Sequence, residues 1–594
     1  MTEKLHQAPE VSRLDIIVEG IRQYVDPERP ASEEMLVAAR LSGHLAASLP
    51  SVGVSEADVV MAGLAYHAVL QGQACHIFAS NRPSPPRVSA SFIGDELSAT
   101  TPIVLRKSLG ALPMVYLRRM DTLEARLAER LRSLAQPRAL PWPMQDIQAS
   151  LSEKILSNAK QFAAVQKLAR TRLVIVTGGP GSGKTFLLSS LLEVAVKHGG
   201  IKKDNIKLAA PTGRAARRMG ESLLKPWKVE YDLETGMAKG DAVQPQTIHS
   251  LLRQDDAMDD LELLVIDEAS MVDLMLFDKL IERITREGSR CTLVLIGDAN
   301  QLPSVEVGSV LLDLCEAPAL SEVKETLAGS QRSKVNPVIM DDAELVMASA
   351  PTAEQVQRVG ILDTDVAIQE LITLVCEDGP PFAQVRAYCL EEKVRLGRDV
   401  DPALLGPFSA IKTAAENGEP AKALAMADSV RVLCSQLRGP LGAETISRLV
   451  ADRLGIKVSA TSAGCGALLM VTRNHRSTGL ANGDVGVVAR SAPGAKEVLV
   501  YFKDRPRGYA LSELPEFIPA FATTIHKSQG SEYALSIVVL SAVERKGFLN
   551  RQLVYTGITR AKYDYKVFAS RAGLFQEACL SEVHRASGLT ARLR

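Results

Sequence analysis

One short stretch leaves this chain less freedom than any other. A β-branched apolar run from Leu173 to Val176 precedes Gly178-Gly179-Pro180-Gly181-Ser182-Gly183-Lys184-Thr185, and an apolar segment from Phe186 to Val196 follows it. A buried strand, a tight glycine loop and a helix, in that order around Gly-x4-Gly-Lys-Thr, make a P-loop. Glycines let successive backbone N–H groups turn toward one anion, and the helix N-terminus adds its partial positive charge. Residues Gly178 to Phe186 are therefore the expected nucleotide site. Lys184 is placed to reach the β- and γ-phosphates and the Thr185 hydroxyl to ligate Mg²⁺, so ATP and Mg²⁺ are the expected cofactors.

The chain has 594 residues, too many for one core, and that length predicts roughly three or four domains. Hydrophobic residues make up 46% and charged residues 23%, the balance of a soluble globular protein. No apolar run approaches about 20 residues, and the polar start Met1-Thr-Glu-Lys-Leu-His is unlike a signal peptide. A cytoplasmic protein without a membrane segment is expected. The eight cysteines are scattered with no Cys-x-x-Cys pair, which argues against a zinc site, an iron–sulfur cluster or a disulfide framework. Lys plus Arg equals Asp plus Glu at 69 each, so any nucleic-acid binding must rest on local basic surface.

Residues 1–115 are rich in Ala and Leu at helical spacing and predict a helical N-terminal domain. His76 in it reads as a packed histidine. Across 116–145, apolar residues recurring at three and four from Leu117 to Leu134 give one amphipathic helix, and Gln136-Pro-Arg-Ala-Leu-Pro-Trp-Pro143 gives a linker. From 146 onward short apolar runs (173–176, 206–210, 263–266, 292–296) alternate with helical segments, as in a parallel, doubly wound α/β sheet.

Functional groups belong just past the ends of such strands. After Leu263-Leu-Val-Ile266 comes Asp267-Glu268: Asp267 can hold Mg²⁺ and Glu268 can polarise an attacking water. After Thr292-Leu-Val-Leu-Ile296 comes Gly297-Asp298-Ala299-Asn300-Gln301, where the Gln301 amide can donate to a γ-phosphate or accept from water. Between Gly479 and Ala522, short β-rich pieces separated by glycine and proline predict a small β-barrel inserted at about 484–521.

Together, Gly178–Thr185, Asp267-Glu268 and Gly297–Ser304 resemble motifs I, II and III of superfamily 1 helicases. Gln161 resembles that family's adenine-contacting glutamine. Pro211-Thr-Gly-Arg-Ala-Ala216 resembles motif Ia, Thr247-Ile-His-Ser-Leu251 the next DNA-contacting motif, Thr524–Glu532 motif V and Val554–Lys562 motif VI. The flanking Val115-Tyr-Leu-Arg-Arg119 with Glu124, Leu437–Gly442, Gly479–Asp484 and Ser587-Gly-Leu589 resemble the RecD branch, the α subunits of RecBCD-type exodeoxyribonuclease V.

That resemblance implies two RecA-like P-loop NTPase lobes with parallel sheets, the first at 146–330 and the second at 331–594, with the β insertion SH3-like. It implies an ATP-dependent 5′→3′ DNA helicase subunit in double-strand break repair and homologous recombination. The N-terminal domain would dock on RecB-like and RecC-like partners in a heterotrimer. The substrate would be a single strand at a duplex end, touched by Thr212, Gly213, Arg214, Thr247, His249, Thr524, His526, Lys527, Ser528 and Gln529. Such side chains suit sugar–phosphate contacts without base reading. Arg560 would come from the second lobe to the γ-phosphate, and Arg332, in Ser330-Gln-Arg-Ser333 without the family's aromatic, would be a second contact. No nuclease carboxylate–lysine cluster is found, so nuclease activity is expected in a partner. A stand-alone RecD-like helicase, which would carry a longer N-terminal region, and a non-motor ATP-binding assembly subunit are the alternatives.

Overall fold

The computed structural model describes residues 13–27, 31–47, 54–78, 84–85, 93–94, 101–107, 109, 112–138, 141–227, 230–231, 238–239, 243–254, 260–329, 335–396, 401–459, 461–475, 477–503, 505, 507–542, 548–583 and 585–594. Two parallel sheets organise it. In the first, six strands run in the order Lys324–Leu327, Leu173–Gly178, Thr292–Gly297, Leu263–Ile266, Ile206–Ala210 and Pro245–Thr247, each pair parallel. All four strands read from the sequence are present, and the largely apolar runs of Leu173–Gly178, Leu263–Ile266 and Thr292–Gly297 reflect burial on both faces.

The second sheet has five parallel strands, Gly360–Ile361, Ala561–Ala569, Tyr533–Leu540, Val430–Cys434 and Ala522–Thr524. Its central strand Tyr533–Leu540 is buried along its whole length. These are two RecA-like lobes, each an α/β layer structure. The helix Gly213–Trp227 of the first lobe faces the second, where Arg217 pairs with Asp484 and Arg218 with Glu532.

A four-stranded antiparallel sheet rides on the second lobe, in the order Val498–Phe502, Val485–Arg490, Leu468–Val471 and Phe517–Pro519. It starts earlier than the expected residue 484. Leu468-Leu-Met-Val471 is buried on both faces and so lacks the alternation that marks a strand in a half-exposed sheet.

The N-terminal region is less purely helical than its composition predicts. Three helices, Arg13–Val25, Glu33–Ala47 and Glu56–Leu70, pack on a small sheet ordered Cys75–Ile77, Met114–Leu117, Ile103–Arg106 and Ile93–Gly94. Two-to-four-residue strands are too short to display a period. His76 lies in this sheet with its ring edge-on to Phe78 at 5.0 Å, and burial pushes its pKa down to about 4.

The helix Arg118–Ala135 joins the parts. Its apolar face, Met120, Leu123, Leu127, Leu131 and Leu134, is buried. The same helix buries Glu124, which accepts hydrogen bonds from Tyr116 (3.0 Å), the Ser587 hydroxyl (2.8 Å) and the Gly588 N–H (3.1 Å). A side chain at Gly588 would overlap the Tyr116 hydroxyl, so glycine is needed where the chain end returns. No helix among the described residues is long and apolar enough to cross a membrane.

Candidate active site

The strand Leu173–Gly178 ends in the glycine loop, and the helix Lys184–Lys197 begins directly after it. Gly181 and Gly183 have φ of +76° and +89°, a region that a side chain would penalise. A Cβ on Gly183 would also come within 2.6 Å of Gln161 Nε2, so the Gln161 amide lies against the loop. Asn158 sets this position by capping the helix Ala159–Arg170, its side chain accepting the Gln161 N–H at 3.2 Å. Lys184 Nζ donates to the carbonyls of Gly178 (2.6 Å) and Gly179 (2.9 Å). Phe186 is partly exposed, with Lys154 Nζ 4.3 Å from its ring centre.

At the end of Leu263–Ile266 the chain turns sharply. Glu268 has φ 51° and ψ 41°, a left-handed conformation that costs a non-glycine residue roughly 1–3 kcal/mol and is often kept where function requires it. Asp267 Oδ1 accepts the Glu268 N–H at 2.8 Å. Burial first, and then the Glu268 charge, push the Asp267 carboxyl up to about 6 against the pull of Lys184 and Arg218.

Gln301 follows the strand Thr292–Gly297 and donates from Nε2 to Asp298 Oδ2 at 3.2 Å. Burial raises the Asp298 pKa, opposed by Lys184 and by hydrogen bonds from Asn300, Tyr555 and Gln301. From the second lobe, Arg560 is buried, with Nε donating to the Thr556 carbonyl (3.1 Å) and Nη1 to the Ser531 carbonyl (3.3 Å). Gln161, Lys184, Asp267, Glu268, Gln301 and Arg560 line one cleft of about 1020 Å³ between the lobes.

Arg218 lines the same cleft, and motif reading alone overlooked it. It donates to the Gly530 carbonyl at 3.2 Å and pairs with Glu532 at 2.5 Å. Burial works against its charge, but the carboxylates of Glu532, Glu268 and Asp267 overcome this and raise its pKa. Its place in the second turn of a helix that opens with motif Ia was the available signal.

Thr185 and Asp267 both line the cleft and offer the hard oxygen donors that Mg²⁺ takes. Among the described residues no cluster of three or more His, Cys, Asp or Glu could hold a metal ion. The donor set fits a cation that takes one carboxylate, one hydroxyl and phosphate oxygens.

The expected DNA contacts divide into four groups. His249 and Lys527 are exposed. Thr212, Thr247 and Thr524 are partly exposed and use their hydroxyls as local caps, accepting from Ala215, Ser250 and Lys527 N–H groups. Gly213 abuts Ala481, Arg214 lies 3.9 Å from Asp428, and the His526 ring lies 6.1 Å from Phe548. Ser528 and Gln529 are placed differently from the others. Both are buried, Ser528 donating to the Ile525 carbonyl (2.7 Å) and Gln529 Nε2 to the Leu302 carbonyl (3.1 Å). Arg332 lies outside the described residues.

Residues 161–307 match an AAA domain family and residues 519–564 a UvrD-like helicase C-terminal domain. The RecBCD enzyme subunit RecD of Mycobacterium tuberculosis (strain CDC 1551 / Oshkosh) is 33% identical over 439 residues, 71% of each chain. RecD of Haemophilus influenzae is 28% identical over 551 residues, covering 84% of this chain and 82% of that one. The ATP-dependent RecD2 DNA helicase of Deinococcus radiodurans is 27% identical over 496 residues, covering 81% of this chain but 58% of that protein. With P-loop, acidic pair, glutamine and arginine converging on one interlobe cleft, the chain belongs to the RecD family of RecBCD enzyme subunits.

Proposed function

We propose that the chain is an ATP-dependent DNA helicase, the motor subunit of a RecBCD-type helicase–nuclease acting in the cytoplasm in DNA repair and recombination. The observation that carries this reading is the interlobe cleft, to which the first lobe brings Lys184, Glu268 and Gln301 and the second brings Arg560. A nucleotide there is complete for hydrolysis only when both lobes meet around it, so closure and reopening can be tied to movement along a strand.

In this reading the P-loop N–H groups and Lys184 bind the phosphates, and Gln161 orients the base. Glu268 accepts a proton from the attacking water, while Arg560 and Arg218 offset charge that grows on the terminal phosphate. Thr185 and Asp267 would hold Mg²⁺, which supplies further charge neutralisation at the phosphates. Thr212, Gly213, Arg214, Thr247, His249, Thr524, His526 and Lys527 would track the strand. Arg332 would add a second contact to the γ-phosphate. Residues 146–330 and 331–594 would be the moving lobes, 484–521 an SH3-like insertion, 116–145 a connector and 1–115 a docking domain for RecB-like and RecC-like subunits. The 5′→3′ polarity belongs to the same proposal.

The test uses purified chain, alone and with RecB-like and RecC-like partners, and Lys184→Gln as control. Single-strand-stimulated ATP turnover, and unwinding that requires a 5′ tail and is strengthened by the partners, support the proposal. Full activity without partner binding would favour a stand-alone helicase. ATP binding without DNA stimulation would leave only an assembly role.

A further inference from the structure

Beyond the groups already placed around the nucleotide, two side chains from opposite lobes meet behind Gln301. Tyr555, on the second-lobe helix Arg551–Ile558, donates its hydroxyl to Asp298 Oδ2 at 2.9 Å. The same oxygen accepts Gln301 Nε2 at 3.2 Å, and Oδ1 accepts the Asn300 N–H at 3.0 Å. Asp298 and Tyr555 are buried, at 1% and 2% exposure, so no solvent competes for these bonds.

The arrangement fixes the amide. Asp298 already accepts the Asn300 N–H and the Tyr555 hydroxyl, and the edge of Gln301 that meets it is the NH₂ group. What remains without a hydrogen-bond partner is Gln301 Oε1, which is itself buried. A buried acceptor lacking a donor is unfavourable, and it suits a ligand with a proton to give. Phosphate oxygens are acceptors; a water molecule has two protons. The neighbouring contacts show that this loop is held by the second lobe: the Leu302 N–H donates to Thr556 Oγ1 (3.1 Å) and Gln529 Nε2 to the Leu302 carbonyl (3.1 Å).

We infer that Tyr555 and Asp298 are positioning residues: docking of the second lobe holds the Gln301 amide so that Oε1 receives a hydrogen bond from the attacking water. This rests on the proposed ATPase reading and adds to it a reason why hydrolysis depends on lobe closure. In this reading Tyr555 acts through two side chains, Asp298 and Gln301.

The test is a mutant cycle in the full chain: wild type, Tyr555→Phe, Gln301→Ala and the double variant, with ATP turnover measured with and without single-stranded DNA. Tyr555→Phe is expected to lower kcat about tenfold, the loss of one hydrogen bond to a charged group, with KM for ATP changed less than about twofold. In the Gln301→Ala background the same change should have no further effect. Additive losses in kcat, or a Tyr555→Phe enzyme that turns over like wild type, would overturn the inference. Loss of melting temperature with kcat per folded molecule unchanged would also overturn it, since that is what a purely structural tyrosine gives. Wild-type hydrolysis that DNA fails to stimulate would instead count against the helicase reading, and the cycle would still be read from turnover without DNA.

Discussion

Arg217 of the first lobe holds Asp484 of the antiparallel sheet with both terminal nitrogens, at 2.8 and 3.0 Å. Asp484 is buried and also accepts the Ala481 N–H at 2.9 Å, so this carboxylate ties the small sheet to the helix that opens with motif Ia. The sheet belongs to the second lobe by chain connection and to the first by this ion pair. A strand running past Thr212 and Gly213 would meet that junction.

Arg217→Ala should therefore destabilise the docked arrangement by about 2 kcal/mol, because Asp484 keeps its burial and loses its cation. Asp484→Ala should cost a similar amount, and the double variant clearly less than the sum. Urea denaturation of the four proteins checks this. Additive single losses would mean that the pair is not coupled.

Glu268→Gln should leave nucleotide binding within a few-fold of wild type and reduce ATP turnover by about 10²–10⁴, the range expected for a general base. The left-handed backbone at Glu268 is set by its own turn and by the bond from its N–H to Asp267, both of which the amide preserves. Fluorescent-nucleotide binding beside a turnover assay separates the two effects. Turnover close to wild type would remove Glu268 from the base role.

The raised pKa of Asp267 makes a pH prediction whose direction is fixed. Burial holds the carboxyl up at about 6 in the fold, above the usual carboxylate range, so the folded state takes up the proton first as pH falls. Burying the charge thus opposes folding fully above about 6, and this opposition is relieved as pH drops from 6 toward 4. Mg²⁺ needs the ionised form. Nucleotide affinity in the presence of Mg²⁺ should weaken as pH falls through about 6, with proton release on metal binding growing over the same range as more of the free carboxyl is protonated. Calorimetry in buffers of different ionisation enthalpy measures the released proton. A Mg²⁺ effect flat between pH 5.5 and 7.5 would argue against Asp267 as the ligand.

The nucleotide half of this site was legible because each part is local. Gly178–Thr185, Asp267-Glu268 and Gln301 each follow an apolar run that can only be a buried strand, and strand ends in a parallel sheet converge on one edge. What joins the lobes was not legible. Tyr555 and Asp298 are 257 residues apart, and Arg217 and Asp484 are 267 apart, with no spacing that announces the pairing. Nor does the polar motif announce that Ser528 and Gln529, at the turn His526–Ser528 and just after it, are buried. The N-terminal strands failed for a different reason, since pieces of two to four residues carry no period.

The last prediction concerns the returning chain end. Arg592 reaches Asp121 at 2.6 Å and Glu124 at 3.4 Å, and all three side chains are largely out of water. Burial opposes ionisation of Asp121, but Arg106 and Arg592 outweigh it and lower its pKa. Glu124 is fully buried, and there burial wins over Arg592, Ser587 and Tyr116, so its pKa is raised. Removing Arg592 leaves Asp121 with Arg106 and leaves Glu124 without a cation partner among the described residues. Arg592→Ala should then cost about 3–5 kcal/mol at neutral pH. Because a raised carboxyl pKa means that the fold binds the proton more tightly than the unfolded chain, this cost should shrink as pH falls and Glu124 is neutralised. Glu124→Gln in the Arg592→Ala background should restore much of the loss at pH 8 and little at pH 5. Denaturant midpoints of the single and double variants at those two pH values decide it. An Arg592→Ala penalty that is equal at both, and untouched by Glu124→Gln, would mean that the arginine acts through packing on the Tyr116 ring, from which its guanidinium carbon lies 5.6 Å, and not through the buried carboxyl.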